Sequence, residues 1–188
     1  DSEYTTITAA ITQAVADGAT DTNRATVYVK PGTYAESVAL APGIDIVGCG
    51  GRNAVLDDLT TTDGMGRNIF PTITGAITTS ASGTGTISYM RVAPSAAVDC
   101  VTAATGTTHL YNCFLDSTQT AVGCIVANGG DVYCFKCIFL ITFPSSDVLN
   151  MTSADSHVIF DDCCSGAGSN GTIRCSAGAL EIYGGVFA

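Results

Sequence analysis

Ile87-Ser-Tyr89-Met-Arg-Val92, Thr108-His-Leu110-Tyr-Asn-Cys113, Val132-Tyr-Cys134-Phe-Lys-Cys137, Val158-Ile-Phe160-Asp-Asp-Cys163 and Leu180-Glu-Ile182-Tyr-Gly-Gly185 can be written beneath one another. Each holds a mostly apolar position, a gap of one, a second apolar position, a gap of two, then Val, Cys or Gly. The middle positions Tyr89, Leu110, Cys134, Phe160 and Ile182 are spaced 21, 24, 26 and 22 residues apart. A period in the low twenties built from short strands predicts a solenoid, in which each turn buries its apolar side against the turns above and below. The expected fold class is all-β, a parallel β-helix of about seven rungs in a single domain over residues 1–188.

The gap of two reads as a tight bend. Asn112, Asp162 and Gly184 occupy its second position, and all three tolerate left-handed backbone; Lys136 is the exception. Nine cysteines fall largely on the same frame. Cys113, Cys137 and Cys163 share one column. Cys100, Cys124 and Cys175 share a second, with Asn150 at the missing step. Small apolar columns suit a stacked interior, and a free Cys packs as a small hydrophobe, so these six are expected as reduced core thiols. Rungs about 4.8 Å apart would also permit disulfides.

Working outward, Tyr4 to Ala16 reads as an amphipathic helix with Ile7, Ala10, Ile11, Ala14 and Val15 on one face. With the loop to Arg24 it would cap the first rung, leaving residues 25–188 for the β-helix. Residues 53–85 are the least regular part. The step from Ile46 to Tyr89 is 43 residues, which predicts one extra rung there from Ile69, Ile73 and Ile77. Second strands are expected at Val98–Cys100, Val122–Cys124, Val148–Asn150 and Ile173–Cys175. The sequence stops within a strand after Val186-Phe187-Ala188, so either the natural chain continues or a partner covers that end.

The composition of the 188 residues narrows the partners. Only 13% are charged, 46% are hydrophobic, and the net charge is −10. Seven scattered Lys and Arg argue against nucleic acid, and no apolar run is long enough to cross a membrane as a helix.

The stretch "AAITQAVADG", then "VYVKPGTYAESV", then "GIDIVGCGG", over about residues 4 to 51, resembles the N-terminal cap and first rungs of the pectin lyase-like right-handed parallel β-helix superfamily, nearest its pectin methylesterase-like branch. The resemblance implies a right-handed coil and, in the enzymes, a groove of carboxylates with Arg or Lys, sometimes with calcium. Pectin methylesterases present two Asp, an Arg and Gln side chains, and polygalacturonases an Asp cluster, a Gly-His-Gly and an Arg-Ile-Lys. This chain has no Gly-His-Gly and no Arg-Ile-Lys. Its weak catalytic candidates are Asp161, Asp162, Lys136 and Arg174, against the plainer reading of a bend aspartate beside a surface ion pair.

No cofactor or metal is expected. Cys134-Phe-Lys-Cys137 is a CxxC without two further zinc ligands or a thioredoxin-like context, and the repeat already accounts for it. Gly48-Cys-Gly-Gly51 lacks the Lys-Ser/Thr of a phosphate loop. His109 and His157 precede strands in equivalent places, two rungs apart, too far for a shared metal.

The outward positions hold the more informative anomaly. Tyr111, Phe135 and Tyr183 should point out, as should Phe114, Ile138, Cys164 and Val186 in one vertical column. A solvated sheet face alternates to polar, so an apolar stripe on a rod marks association, unless a loop such as 141–147 or 165–171 folds over it. Non-catalytic members of the resembled superfamily occur in tailed bacteriophages. The resemblance therefore implies a structural virion component such as a capsid decoration, fibre or spike, associating side by side as a homotrimer within a capsid or tail. The alternative is a secreted polysaccharide lyase, esterase or hydrolase, or a β-helix that binds a surface glycan through Tyr111, Phe135 and Tyr183.

Overall fold

The computed structural model describes residues 3–50, 70–79, 82–117, 122–141, 147–165 and 172–187. Every strand pairing between named strands is parallel, and each turn of the chain contributes one strand to each of three sheets. The long sheet has seven strands, in order Ala25–Val29, Ile44–Gly48, Thr84–Ser88, Thr107–Tyr111, Asp131–Phe135, His157–Asp161 and Ala179–Tyr183. A second sheet of six short strands runs from Thr33–Tyr34 to Cys164–Ser165, and a third of six from Val38–Leu40 to Thr172–Cys175. This is the parallel β-solenoid expected from the repeat.

The core follows from strand alternation. Val27, Ile46, Ile87, Leu110, Cys134, Phe160 and Ile182 lie in register up the long sheet and point inward. Ile46, Ile87, Leu110 and Phe160 are fully buried, and burial of each such side chain contributes about 1.5–3 kcal/mol. Phe139 of the second sheet packs on Phe160 with ring centroids 5.1 Å apart. Where the inward column needs to be narrow it uses glycine: a Cβ on Gly85 would stand 2.4 Å from Leu40 Cδ2.

The helix is Ile7–Ala16, shorter than the sequence pattern implies, because Thr6 caps it by accepting from Ala9 N–H. Glu36 then accepts from the backbone of Ile7 and Thr8 at 2.8 and 2.9 Å, which fixes the helix over the first rung and satisfies its free N–H groups. Arg24 ties successive rungs together. It donates to Asp45 at 2.5 and 3.1 Å, to Thr84 O at 3.2 Å and to Thr86 Oγ1 at 3.2 Å.

Four expectations need correction. Tyr89 is not an inward position. Ile87 pairs with Leu110, and Tyr89 is the bend residue, with φ 57°. Lys136 is no exception at the bend, for its φ is 52°, beside 51° at Asn112, 52° at Asp162 and 67° at Gly184. There is no extra rung before Tyr89: strand Ile44–Gly48 pairs directly with Thr84–Ser88, and Ile73 and Ile77 supply the second and third sheets of the same turn. Ile69 lies outside the described residues. Finally, the strands of the third sheet sit later than expected, at Val101–Ala103 and Ile125–Ala127, so that Ile125 pairs with Leu149, and a register shift between Asp147 and Leu149 follows in the pairing with Thr172–Cys175. Cys100 and Cys124 remain stacked and buried, but Asn150 pairs with Val126 and Arg174, half-exposed. Cys175 pairs with Met151 and is exposed.

The bend is testable at Lys136, where an L-residue with a branched Cβ should be strained. Lys136→Val is expected to be less stable than Lys136→Gly by about 1–2 kcal/mol, read from denaturant midpoints.

Candidate functional site

The outer face of the long sheet is built by the residues between the core positions. One outward column runs Thr26, Asp45, Thr86, His109, Tyr133, Ile159, Glu181; the next runs Tyr28, Val47, Ser88, Tyr111, Phe135, Asp161, Tyr183. The first three rungs therefore carry mostly short polar side chains, while the later rungs carry rings. His109 and Tyr133 lie face to face, centroids 4.9 Å apart at 12°. Tyr111 meets Phe135 edge-on at 6.3 Å, and His157 meets Tyr133 edge-on at 6.0 Å. Tyr111 Oη and His109 Nδ1 are 3.3 Å apart. Burial, helped by the nearby Arg24 guanidinium, pulls the His109 imidazole below its usual range, so at neutral pH it packs as an uncharged ring.

His109 and His157 thus lie within strands and in different outward columns, not before strands in equivalent places. They flank Tyr133, and neither Tyr133 nor Ile159 stands out in the repeat until i, i+2 alternation is applied outward as well as inward. His157 Nε2 also lies 3.0 Å from Glu181 Oε1. The Glu181 carboxyl is held below its ordinary value by Tyr183 and then by His157.

The seven side chains expected to form an exposed stripe divide into two groups. Tyr111, Tyr183 and Val186 are exposed, and Phe135 and Cys164 are half-buried. Phe114 and Ile138 are buried within the chain, at 6% and 7% exposure, and do not form part of a free surface. Arg91 explains part of this: its guanidinium lies 5.8 Å from the Phe114 ring centroid and pairs with the buried Asp116, two residues along the same outward side. Residues 142–146 and 166–171, the loops that could cover the stripe, lie outside the described residues.

The weak catalytic candidates are split. Lys136 Nζ and Asp162 Oδ2 are 4.0 Å apart at the bend, both well exposed, with Lys136 5.2 Å over the Phe135 ring. Asp161 sits beside them on the outer face, in register between Phe135 and Tyr183. Arg174 is on the third sheet, donating to Asp147 Oδ1 at 3.1 Å. Among the described residues no group of three or more His, Cys, Asp or Glu is placed to hold a metal ion.

All nine cysteines are free thiols. Cys113, Cys137 and Cys163 stack as expected, and each serves the bend. Their Sγ atoms lie 3.5, 3.4 and 3.4 Å from the carbonyls of Ile87, Leu110 and Cys134, one rung below. Cys137 N–H also points inward and reaches Cys163 Sγ at 3.4 Å. The column therefore supplies a weak donor and a weak acceptor where a hydrocarbon would supply neither. Burial pushes the Cys134 and Cys137 thiols up; burial, then Cys163 and Asp162, does the same at Cys164.

No protein-family model matches the chain, and no curated protein or solved structure is significantly similar to it. Among the described residues no helix is long and apolar enough to cross a membrane.

Two measurements check this description. In an aromatic-disulfide thiol titration of the native protein, Cys49 and Cys175 should react fast and Cys164 slowly, while the six buried thiols react only in denaturant. Rapid reaction of all nine would contradict the buried column. In the second, Asp45 is the probe. Burial raises its carboxyl, but the hydrogen bonds from Arg24 and Thr86 outweigh this and hold it below the ordinary value. A depressed folded pKa stabilises above the unfolded value and loses that contribution as pH falls through the folded one. Thermal stability should therefore fall below about pH 4, and less steeply in Asp45→Asn.

Proposed function

We propose that this chain is a non-enzymatic structural module that associates side by side with copies of itself, as a trimer, within a larger protein assembly. A virion component such as a capsid decoration, fibre or spike fits that description. The observation that carries the reading is the half-exposed ring system on the outer face of the long sheet, where a solvated strand face would alternate to polar residues. The rings stack along the rod axis. His109 and Tyr133 spend their faces on each other and turn edges outward, a surface better suited to packing against another protein than to supporting a sugar ring.

The threefold arrangement is supported by the corner. Tyr111, Phe135 and Tyr183 end one side of the bend, while Cys164 of the second sheet and Val186, bridged to it, lie on the other side. Two unlike patches flanking one edge suit a heterologous contact that closes into a ring, whereas one patch pairing with itself gives a twofold dimer. The virion part of the proposal rests on the resemblance of residues 4–51 to the pectin lyase-like superfamily together with the missing enzyme motifs. The secreted polysaccharide enzyme is the second reading. Its candidate residues are divided between two sheets, and a chain of net charge −10 repels an acidic polymer.

The test is the native mass in solution under reducing conditions, with Tyr111→Asp and Val186→Asp as variants at exposed positions. A trimer that either variant converts to a folded monomer is the expected result. A monomeric wild-type protein would remove the association reading, and a dimer would remove the threefold one.

A further inference from the structure

A cleft of about 770 Å³ runs between the cap helix and the first strand of the long sheet, away from the ring system of the later rungs. Its floor is apolar, made by Ile7, Val27 and Val29, all buried. Three tyrosines stand around it. Tyr34 is held in place by donating from its hydroxyl to Lys30 O at 2.9 Å. Tyr4 and Tyr28 are 42% and 68% exposed. Tyr34 packs against the core, and Tyr4 and Tyr28 are the two exposed rings of the cleft; among the described residues neither of these two makes a ring contact with another aromatic side chain, unlike His109 and Tyr133.

The polar groups of the cleft are already balanced. Lys30 pairs with Glu3, and Gln13 donates to Asp17 at 2.8 Å. The helix N-terminus next to it is satisfied by Glu36, so no site for an anion is left there. An anionic ligand would meet Glu3 and Asp17 with a single, neutralised cation. A ligand that suits this lining is uncharged, with an apolar face to lie on a tyrosine and a rim of hydroxyls for carboxylate, amide and threonine groups.

We propose that this cleft binds a neutral saccharide of one to a few sugar residues. The C–H face of a pyranose packs on Tyr28 and Tyr4, and its hydroxyls bond to Gln13, Asp17 and the threonines at the rim. The volume is within the range of small-ligand sites, roughly 300–1,000 Å³. The site is independent of the association proposed above, because it lies on the first rung and uses different side chains.

The experiment is a titration of the intact chain with maltotriose, cellotriose and tri-N-acetylchitotriose, with trigalacturonate as the acidic control, followed by tyrosine fluorescence and by NMR. The chain has no tryptophan, so tyrosine dominates the emission. At least one neutral trisaccharide should perturb Tyr28 and Tyr4. Tyr28→Ala should weaken its binding by about tenfold or more. Tyr111→Ala should leave it unchanged while altering the native mass. The proposal fails if no neutral trisaccharide perturbs the cleft at about 10 mM, a concentration that would detect even millimolar affinity. It also fails if trigalacturonate binds as well as the neutral sugars. Loss of the trimer in Tyr28→Ala without any saccharide binding would make the cleft a protein contact and overturn it equally.

Discussion

A left-handed residue at the end of each later long strand is the constraint from which the rest of this solenoid follows. Tyr89, Asn112, Lys136, Asp162 and Gly184 all hold φ between 51° and 67°. For an L-residue this conformation costs about 1–2 kcal/mol. The cost is met by hydrogen bonding that continues around the corner. Asn112 N–H donates up to Phe135 O at 2.9 Å, and two residues later Phe114 N–H donates down to Met90 O at 2.9 Å. Lys136 and Ile138 repeat the pair one rung on, bonding to Asp161 O and Cys113 O. The ladder changes direction without being interrupted, and the intervening residue is left with its N–H turned inward.

That inward N–H gives cysteine a reason to recur. Valine or alanine would fill the volume between rungs, but neither could accept from Cys137 N–H or donate toward the Leu110 carbonyl. In a fully dry interior even a weak sulfur contact improves on an unpaired backbone group, whose burial costs about 1–3 kcal/mol. The same bend fixes the alternation of the strand before it. Once Asn112 is left-handed, Tyr111 and His109 must face out and Leu110 must face in. The ring system on the outer face and the thiol column inside are two consequences of one backbone conformation.

The repeat was legible because apolar spacing and small columns recur in every later turn. What was not legible was the frame of its first copy. In Thr86-Ile-Ser-Tyr-Met-Arg-Val92, apolar side chains occur two apart in two overlapping frames, and hydrophobicity alone does not separate Ile87 from Tyr89 as the core position. The backbone does, because only Tyr89 aligns with Asn112. Cys175 escaped for a different reason. Asn150 is already off the Cys124 column, because Ile125 pairs with Leu149, and Cys175 stacks instead on Met151, Ala127 and Ala103, exposed because its strand is the terminal one of the third sheet. Phe114 is covered in part by Arg91, 23 residues back in the chain and held by Asp116, a contact that no local alternation encodes. Of the outer ring cluster, Tyr111 and Phe135 are legible as outward positions, whereas His109 and Tyr133, two residues earlier on the same strands, emerge only when the outward alternation is carried back along each strand.

The thiols also bear on how far cysteine chemistry can locate the protein. Many reduced cysteines ordinarily argue for a reducing compartment. Here six of the nine are buried, out of reach of an oxidant in solution, and at Cys134 and Cys137 burial also raises the thiol and suppresses the thiolate that exchange requires, while the hydrogen bond with Cys137 lowers that of Cys163. The native protein would therefore keep them reduced in an oxidising medium as well. The constraint falls instead on the folding chain, in which every thiol is open and each can meet a wrong partner before its rung closes. Reduced cysteines in the finished rod thus bear on where it folds and not on where it works.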